Sequence, residues 1–216
     1  MIGVSGCSTP PPAPVETAAA PPSPTATPDA EPVAESILIS GLSFSIRFDS
    51  GEDEVFEYSS DPAAAISTLT EAFGAEPEIT VYDEVNCGSP LTLTAWDGFG
   101  VTSDTKGLPP GQKFGVYAES PALLPVSTSN GSVLGEDNTA IIAATDDRLK
   151  SGWVYQGVSS ADLFFDVQDL TSDEELYDNT GPVSDSDDGK FAWGGSSYSK
   201  AGVVERITAP VYYTDC

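Results

Sequence analysis

From Ile37 onward, apolar residues recur at every second position in short runs, and Gly, Asp, Asn, Ser or Pro breaks each run. A period of two is the mark of a half-buried strand, and a chain made of many such runs folds as sheet. "ILISGLSFSIRF" (37–48) sets Leu42, Phe44, Ile46 and Phe48 on one side. After the turn "DSGED", "EVFEY" puts Val55 on one face and Phe56 and Tyr58 on the other. "EITVY", "LTLTAWDGFGVT" (91–102), "KFGVYAE", "ALLPVSTS", "WVYQGV" (153–158), "DLFFDVQ", "KFAWG" and "GVVERITAPVYY" read as further strands. Ser129-Asn130-Gly131 is a hairpin turn.

Two stretches switch to helical spacing. In "SDPAAAISTLTEAFG", Asp61 is placed as N-cap, Pro62 at the first helical position and Gly74 just past the end, with Ile66, Leu69 and Phe73 as the apolar stripe. "EDNTAIIAATDDRL" (136–149) predicts a second helix, with Asp137 or Asn138 as cap and Ile141, Ile142 and Leu149 as its apolar residues. The expected fold is α+β: two hairpin–helix–strands modules in tandem (36–105 and 112–216), mostly antiparallel, with a helix on one face of each.

The N-terminus obeys other rules. Residues 8–35 hold nine of the chain's eighteen prolines and no Lys, Arg or aromatic residue. Such a segment buries too little apolar surface to offset chain entropy, and it reads as an extended tether. Ahead of it, Val4-Ser5-Gly6-Cys7 has the form of a lipobox, in which small residues before the cysteine suit a signal peptidase. Residues 1–6 then read as a signal-peptide remnant, 7–35 as a lipid-anchored tether and 36–216 as the domain. A secretory signal needs a basic n-region and an apolar h-region, expected in an in-frame extension upstream of Met1. The alternative is a chance cysteine in an unstructured N-terminus.

Charge narrows the partners. The chain carries 34 Asp+Glu against 8 Lys+Arg, a net of −26. A field of that sign repels nucleic acid and anionic headgroups, so nucleic-acid binding is excluded. With Cys7 assigned to lipid, Cys87 and Cys216 remain as a pair; outside the membrane a disulfide between them is expected, with two buried thiols as the alternative. The membrane, through lipid on Cys7, and a cell-wall or envelope protein are the expected partners.

The lipobox with its Thr/Pro/Ala tether, the "DPAAAISTLTEAFG" helix leading into "EPEITVY", the "WDGFGVT" strand and the terminal "GVVERITAPVYYTDC" resemble surface lipoproteins of high-GC Gram-positive bacteria. The resemblance implies an extracytoplasmic, lipid-anchored protein of the cell envelope, and it brings no catalytic residues with it.

Chemistry is limited by what is missing. There is no histidine, which removes Ser-His-Asp and Cys-His nucleophile systems and His-ligated metal sites. Ser-x-x-Lys occurs at Ser103/Lys106 and Ser197/Lys200, without the Ser-Asp-Asn and Lys-Thr-Gly motifs that accompany it in penicillin-binding proteins. Read as a calcium loop, Ser184–Gly189 offers Ser, Ser and Asp at the first ligand places and Gly195 where a glutamate is needed, so the acidic stretch 171–189 reads as a solvated loop. No metal, cofactor or catalytic residue is assigned. Trp96, Phe99, Trp153, Tyr155, Trp193 and Tyr198 could build an aromatic platform for sugar or peptide, although strand aromatics more often fill a core. The expected function is a tethered binding or scaffold domain. A cell-wall sugar-binding module is the alternative, ahead of a hydrolase working through carboxylates.

Overall fold

The computed structural model describes residues 32–83, 90–103, 108–109, 111–169 and 192–212. Cys7, Cys87 and Cys216, tether residues 7–31 and the acidic stretch 171–189 therefore lie outside the described residues, and so does Lys106; the last tether residues, Ala34 and Glu35, already belong to the first strand of the domain. In chain order the elements are β1 (Ala34–Ile39), β2 (Ser43–Phe48), β3 (Asp53–Glu57), α1 (Pro62–Phe73), β4 (Glu78–Tyr82), β5 (Leu91–Trp96) and β6 (Phe99–Ser103). Then come β7 (Phe114–Glu119), β8 (Val126–Thr128), α2 (Thr139–Ala144), β9 (Lys150–Tyr155), β10 (Val158–Asp169), β11 (Ala192–Lys200) and β12 (Val203–Tyr212). No helix among the described residues is long and apolar enough to cross a membrane.

The fold is α+β and dominated by antiparallel sheet. A four-stranded sheet runs β3-β2-β1-β8, and only its β1–β8 pair is parallel. An eight-stranded sheet runs β4-β5-β6-β7-β12-β11-β10-β9. It consists of two four-stranded meanders joined along one seam, where Arg206 to Ala209 of β12 pair with Glu119 to Val116 of β7. The two sequence halves do not build separate sheets: β8 completes the sheet begun by β1, and strands from both halves share the larger sheet.

Helix α1 forms where its punctuation places it. The Asp61 carboxylate accepts from the Ala63 N–H at 2.9 Å, Pro62 opens the helix, and Gly74 closes it at φ 63°. Ala65 and Leu69 are buried, with Ile66 and Phe73 packed at the margin of the same core. That core draws Ile37, Ile39, Phe44, Ile46 and Phe56 from the smaller sheet and Phe99, Val101, Phe114, Val116 and Ile207 from the larger. Phe44 anchors it, with its ring centroid 5.0 Å from Phe56 and edge-on to Phe114 at 6.3 Å.

Several sequence expectations are corrected. Residues 37–48 form two strands, turning at Ser40–Leu42, and Leu42 is exposed rather than inward. Residues 91–102 are likewise two strands joined by the turn Asp97-Gly98, not one bent strand. "WVYQGV" spans the turn Gln156-Gly157, in which both residues have positive φ, as a tight hairpin twisting with its strands requires. The second helix is six residues long and buries none of its side chains. The Asn138 side chain makes no cap bond; its Nδ2 donates to Ser199 Oγ inside the protein instead. The Asp137 carboxylate takes over, accepting from the Thr139 N–H at 2.8 Å, and hydrogen bonding from Thr139, its hydroxyl first and then its N–H, lowers the Asp137 pKa. Among the described residues, no helix covers the second half as α1 covers the first.

Candidate functional site

The larger sheet has one face in the core and one turned outward, because residues alternate along each strand. On β7, Phe114, Val116 and Ala118 point in while Tyr117 and Glu119 point out. On β10, Leu163 and Phe165 are buried, and Asp162 lies on the outward side. Cross-strand register then sets Glu119 of β7, Arg206 of β12, Tyr198 of β11 and Asp162 of β10 in one transverse row over the seam. Tyr117, Thr208 and Ser196 form the row beside it. In the row flanking Asp162 and Tyr198 on the other end, on the same face, Trp153 pairs with Ser160, which pairs with Lys200.

A bulge sharpens this row. Register shifts between Tyr198 and Ser199 so that Arg206 pairs with Tyr198 while Val204 pairs with Ser199. Glu205 is the extra residue, and consequently Glu205 and Arg206 are both exposed. Glu119, Trp153, Asp162, Tyr198, Glu205 and Arg206 line a groove of about 860 Å³. A smaller hollow of about 400 Å³ continues past Tyr117, Ser196 and Thr208. The larger volume falls in the range of small-ligand sites.

Tyr198 is the centre of the arrangement. The Trp153 indole stacks on its ring at 6.0 Å between centroids and 25° between planes. From the neighbouring strand, the Arg206 guanidinium carbon lies 5.7 Å from the same ring centroid. Tyr198 Oη and Ser160 Oγ are 3.3 Å apart, which fixes the tilt of the ring. Trp153 remains 44% exposed despite the stacking, so part of its surface is open to a ligand.

Asp162 is the unusual carboxylate of the groove. Burial pushes its pKa up, against the opposing pull of Arg206 and a hydrogen bond from Ser196. That hydrogen bond is long, 3.5 Å from Ser196 Oγ to Asp162 Oδ1. A carboxylate has about four acceptor positions, so most of this one's capacity is unspent among the described residues. Tyr117 beside the groove also has a raised pKa, chiefly from burial and then from Glu119.

The six aromatics singled out in the sequence divide. Trp96, Phe99 and Trp193 are core residues, and the Trp96 indole N–H donates to Ala75 O at 3.0 Å at the end of α1. Trp153 and Tyr198 meet at the groove, and Tyr155 continues the outward side of β9 at 68% exposure. The Ser197/Lys200 pair is taken apart: Ser197 is fully buried and bonds Ser132 Oγ at 3.3 Å, while Lys200 is exposed on the other face. Asp162, Arg206, Glu119 and Glu205 were not singled out by the sequence. A faint signal exists for Arg206, one of only three arginines in the chain and set mid-strand between apolar neighbours.

Comparison of the chain with protein-family profiles, with curated proteins and with solved structures returns no match.

Proposed function

We propose that this protein is a non-catalytic binding module of the cell envelope, held off the membrane by lipid on Cys7 and a proline-rich tether, and that its groove takes a saccharide ligand. The stacked pair Trp153–Tyr198 carries the reading. The exposed part of the indole accepts the apolar face of a sugar ring, while the flanking carboxylates and guanidinium supply hydrogen bonds to its hydroxyls. This favours the sugar-binding alternative over a scaffold working by protein contact alone.

Catalysis by carboxylates fits the groove less well. Asp162, the groove carboxylate with a raised pKa, sits three strands from Glu119 and two from Glu205, about 14 Å and about 10 Å by strand spacing. Glycosidase carboxyl pairs stand about 5–9.5 Å apart.

The test is affinity electrophoresis and calorimetry of the full chain against soluble envelope glycans and their oligosaccharides, with product analysis in parallel. Saturable binding lost in Trp153→Ala, with no turnover, is the expected result. Sugar binding unaffected by Trp153→Ala would overturn the reading, and turnover that disappears in Asp162→Asn would replace it with the hydrolase alternative.

A further inference from the structure

We infer that the ligand of this groove is a glycan bearing free ammonium groups, of the glucosamine type, rather than an N-acetylated or anionic one. The inference rests on the saccharide reading above and specifies its chemistry. Three observations point to positive charge on the ligand.

The first is the charge of the walls. Glu119, Asp162 and Glu205 face one cation, Arg206, and that guanidinium is already engaged over Tyr198. Lys200 stands on the same side of the sheet but does not line the groove. A uronic or phosphate-bearing polymer would meet three carboxylates with no free partner for its own charge.

The second is the state of Asp162. It is partly desolvated, accepts one long hydrogen bond, and is held charged chiefly by Arg206. A ligand ammonium docked on its open acceptor positions would offset the desolvation and supply the missing hydrogen bonds together. An acetamido group in the same place would offer only one neutral N–H.

The third is the aromatic floor. Tyr198 is already covered by Trp153 and Arg206, but the exposed part of the Trp153 indole attracts cations through the ring quadrupole, so the surface that stacks a sugar ring also favours an ammonium beside it. The chain's net charge of −26 raises the local concentration of any cationic polymer before contact.

The experiment is calorimetry of the full chain with three hexamers: glucosamine at a pH where its amines are protonated, N-acetylglucosamine, and lysine. Glucosamine hexamer is expected to bind at least tenfold more tightly than the other two. Asp162→Asn should erase its advantage over the acetylated hexamer, and Trp153→Ala should weaken both sugars. A thermal melt of Asp162→Asn at or above the wild-type Tm shows that lost binding is not lost folding. Equal or tighter binding of the acetylated hexamer would overturn the inference and leave the saccharide reading standing. Failure of both sugars would overturn both. Lysine hexamer matching glucosamine hexamer would overturn the inference in favour of a patch that selects charge alone.

Discussion

Two aspartates four residues apart on β10 do opposite work. Asp166 has a positive φ of 49°, and its carboxylate accepts from the Gly41 N–H at 3.0 Å and the Ser129 hydroxyl at 2.6 Å. It thereby ties a bulge in the larger sheet to two turns of the smaller one. Asp166→Asn retains the tolerance for positive φ and an amide oxygen to accept both bonds, so it is expected to cost at most about 1 kcal/mol by chemical denaturation. Asp162 contributes in the other direction. Its raised folded-state pKa means that the folded chain binds the proton more readily than the unfolded one. Its effect at neutral pH is thus destabilising, and it fades as pH falls through the folded pKa towards about 3.9. Melting curves of wild type and Asp162→Asn are expected to differ most near neutral pH, with the variant higher, and to converge below that value. Gly98 is constrained more tightly still. At φ 76°, a Cβ there would lie 2.1 Å from the Pro121 carbonyl oxygen, so Gly98→Ala adds a clash with backbone to unfavourable backbone geometry. A loss of at least about 2 kcal/mol is expected.

At the scale of elements, local chemistry decided what was legible. Helix α1 was readable to its ends because Asp61, Pro62 and Gly74 act within one turn of where they stand. Asp61→Ala is accordingly expected to cost about 1 kcal/mol, measurable by chemical denaturation. The short hairpins were harder. Alternation continues across a two-residue turn, so 91–102 and 153–158 each looked like one strand, although Asp97-Gly98 is itself a strong turn signal. Helix α2 shows the reverse failure: Ile141 and Ile142 suggested an apolar stripe, but the chain leaves the helix at Thr145. Lys150 Nζ then donates to the half-buried carbonyls of Ile142 and Thr145 at the helix end. The groove was half legible. Periodicity shows which residues of a strand share a face; it does not show which face will be covered. Trp153 and Tyr198 thus appeared beside Trp96, Phe99 and Trp193 with nothing to separate ligand surface from core. Asp162, Arg206 and Glu119 come together only through pairing of β7, β10, β11 and β12, contacts that no local pattern encodes.

Over the whole molecule, charge and topology set the behaviour. A net charge of −26 repels itself in the compact state. Raising NaCl from about 10 mM to about 0.5 M shortens the screening length from about 30 Å to below 10 Å, and Tm is expected to rise by several degrees. The same salt series is expected to weaken binding of the glucosamine hexamer. Topology has a consequence for how the protein is made. A ribosome delivers β7 well before β12, yet β12 is the strand that lies against β7 and joins the two meanders. Until residue 212 has emerged, the β7 and β11 edges are both unpaired, and neither the seam nor the groove over it exists. A nascent chain at that stage presents two open edges of the kind that recruit other strands. Synthesis halted after Lys200 is therefore expected to yield an aggregating product rather than a weakened domain, and assembly waits on β12.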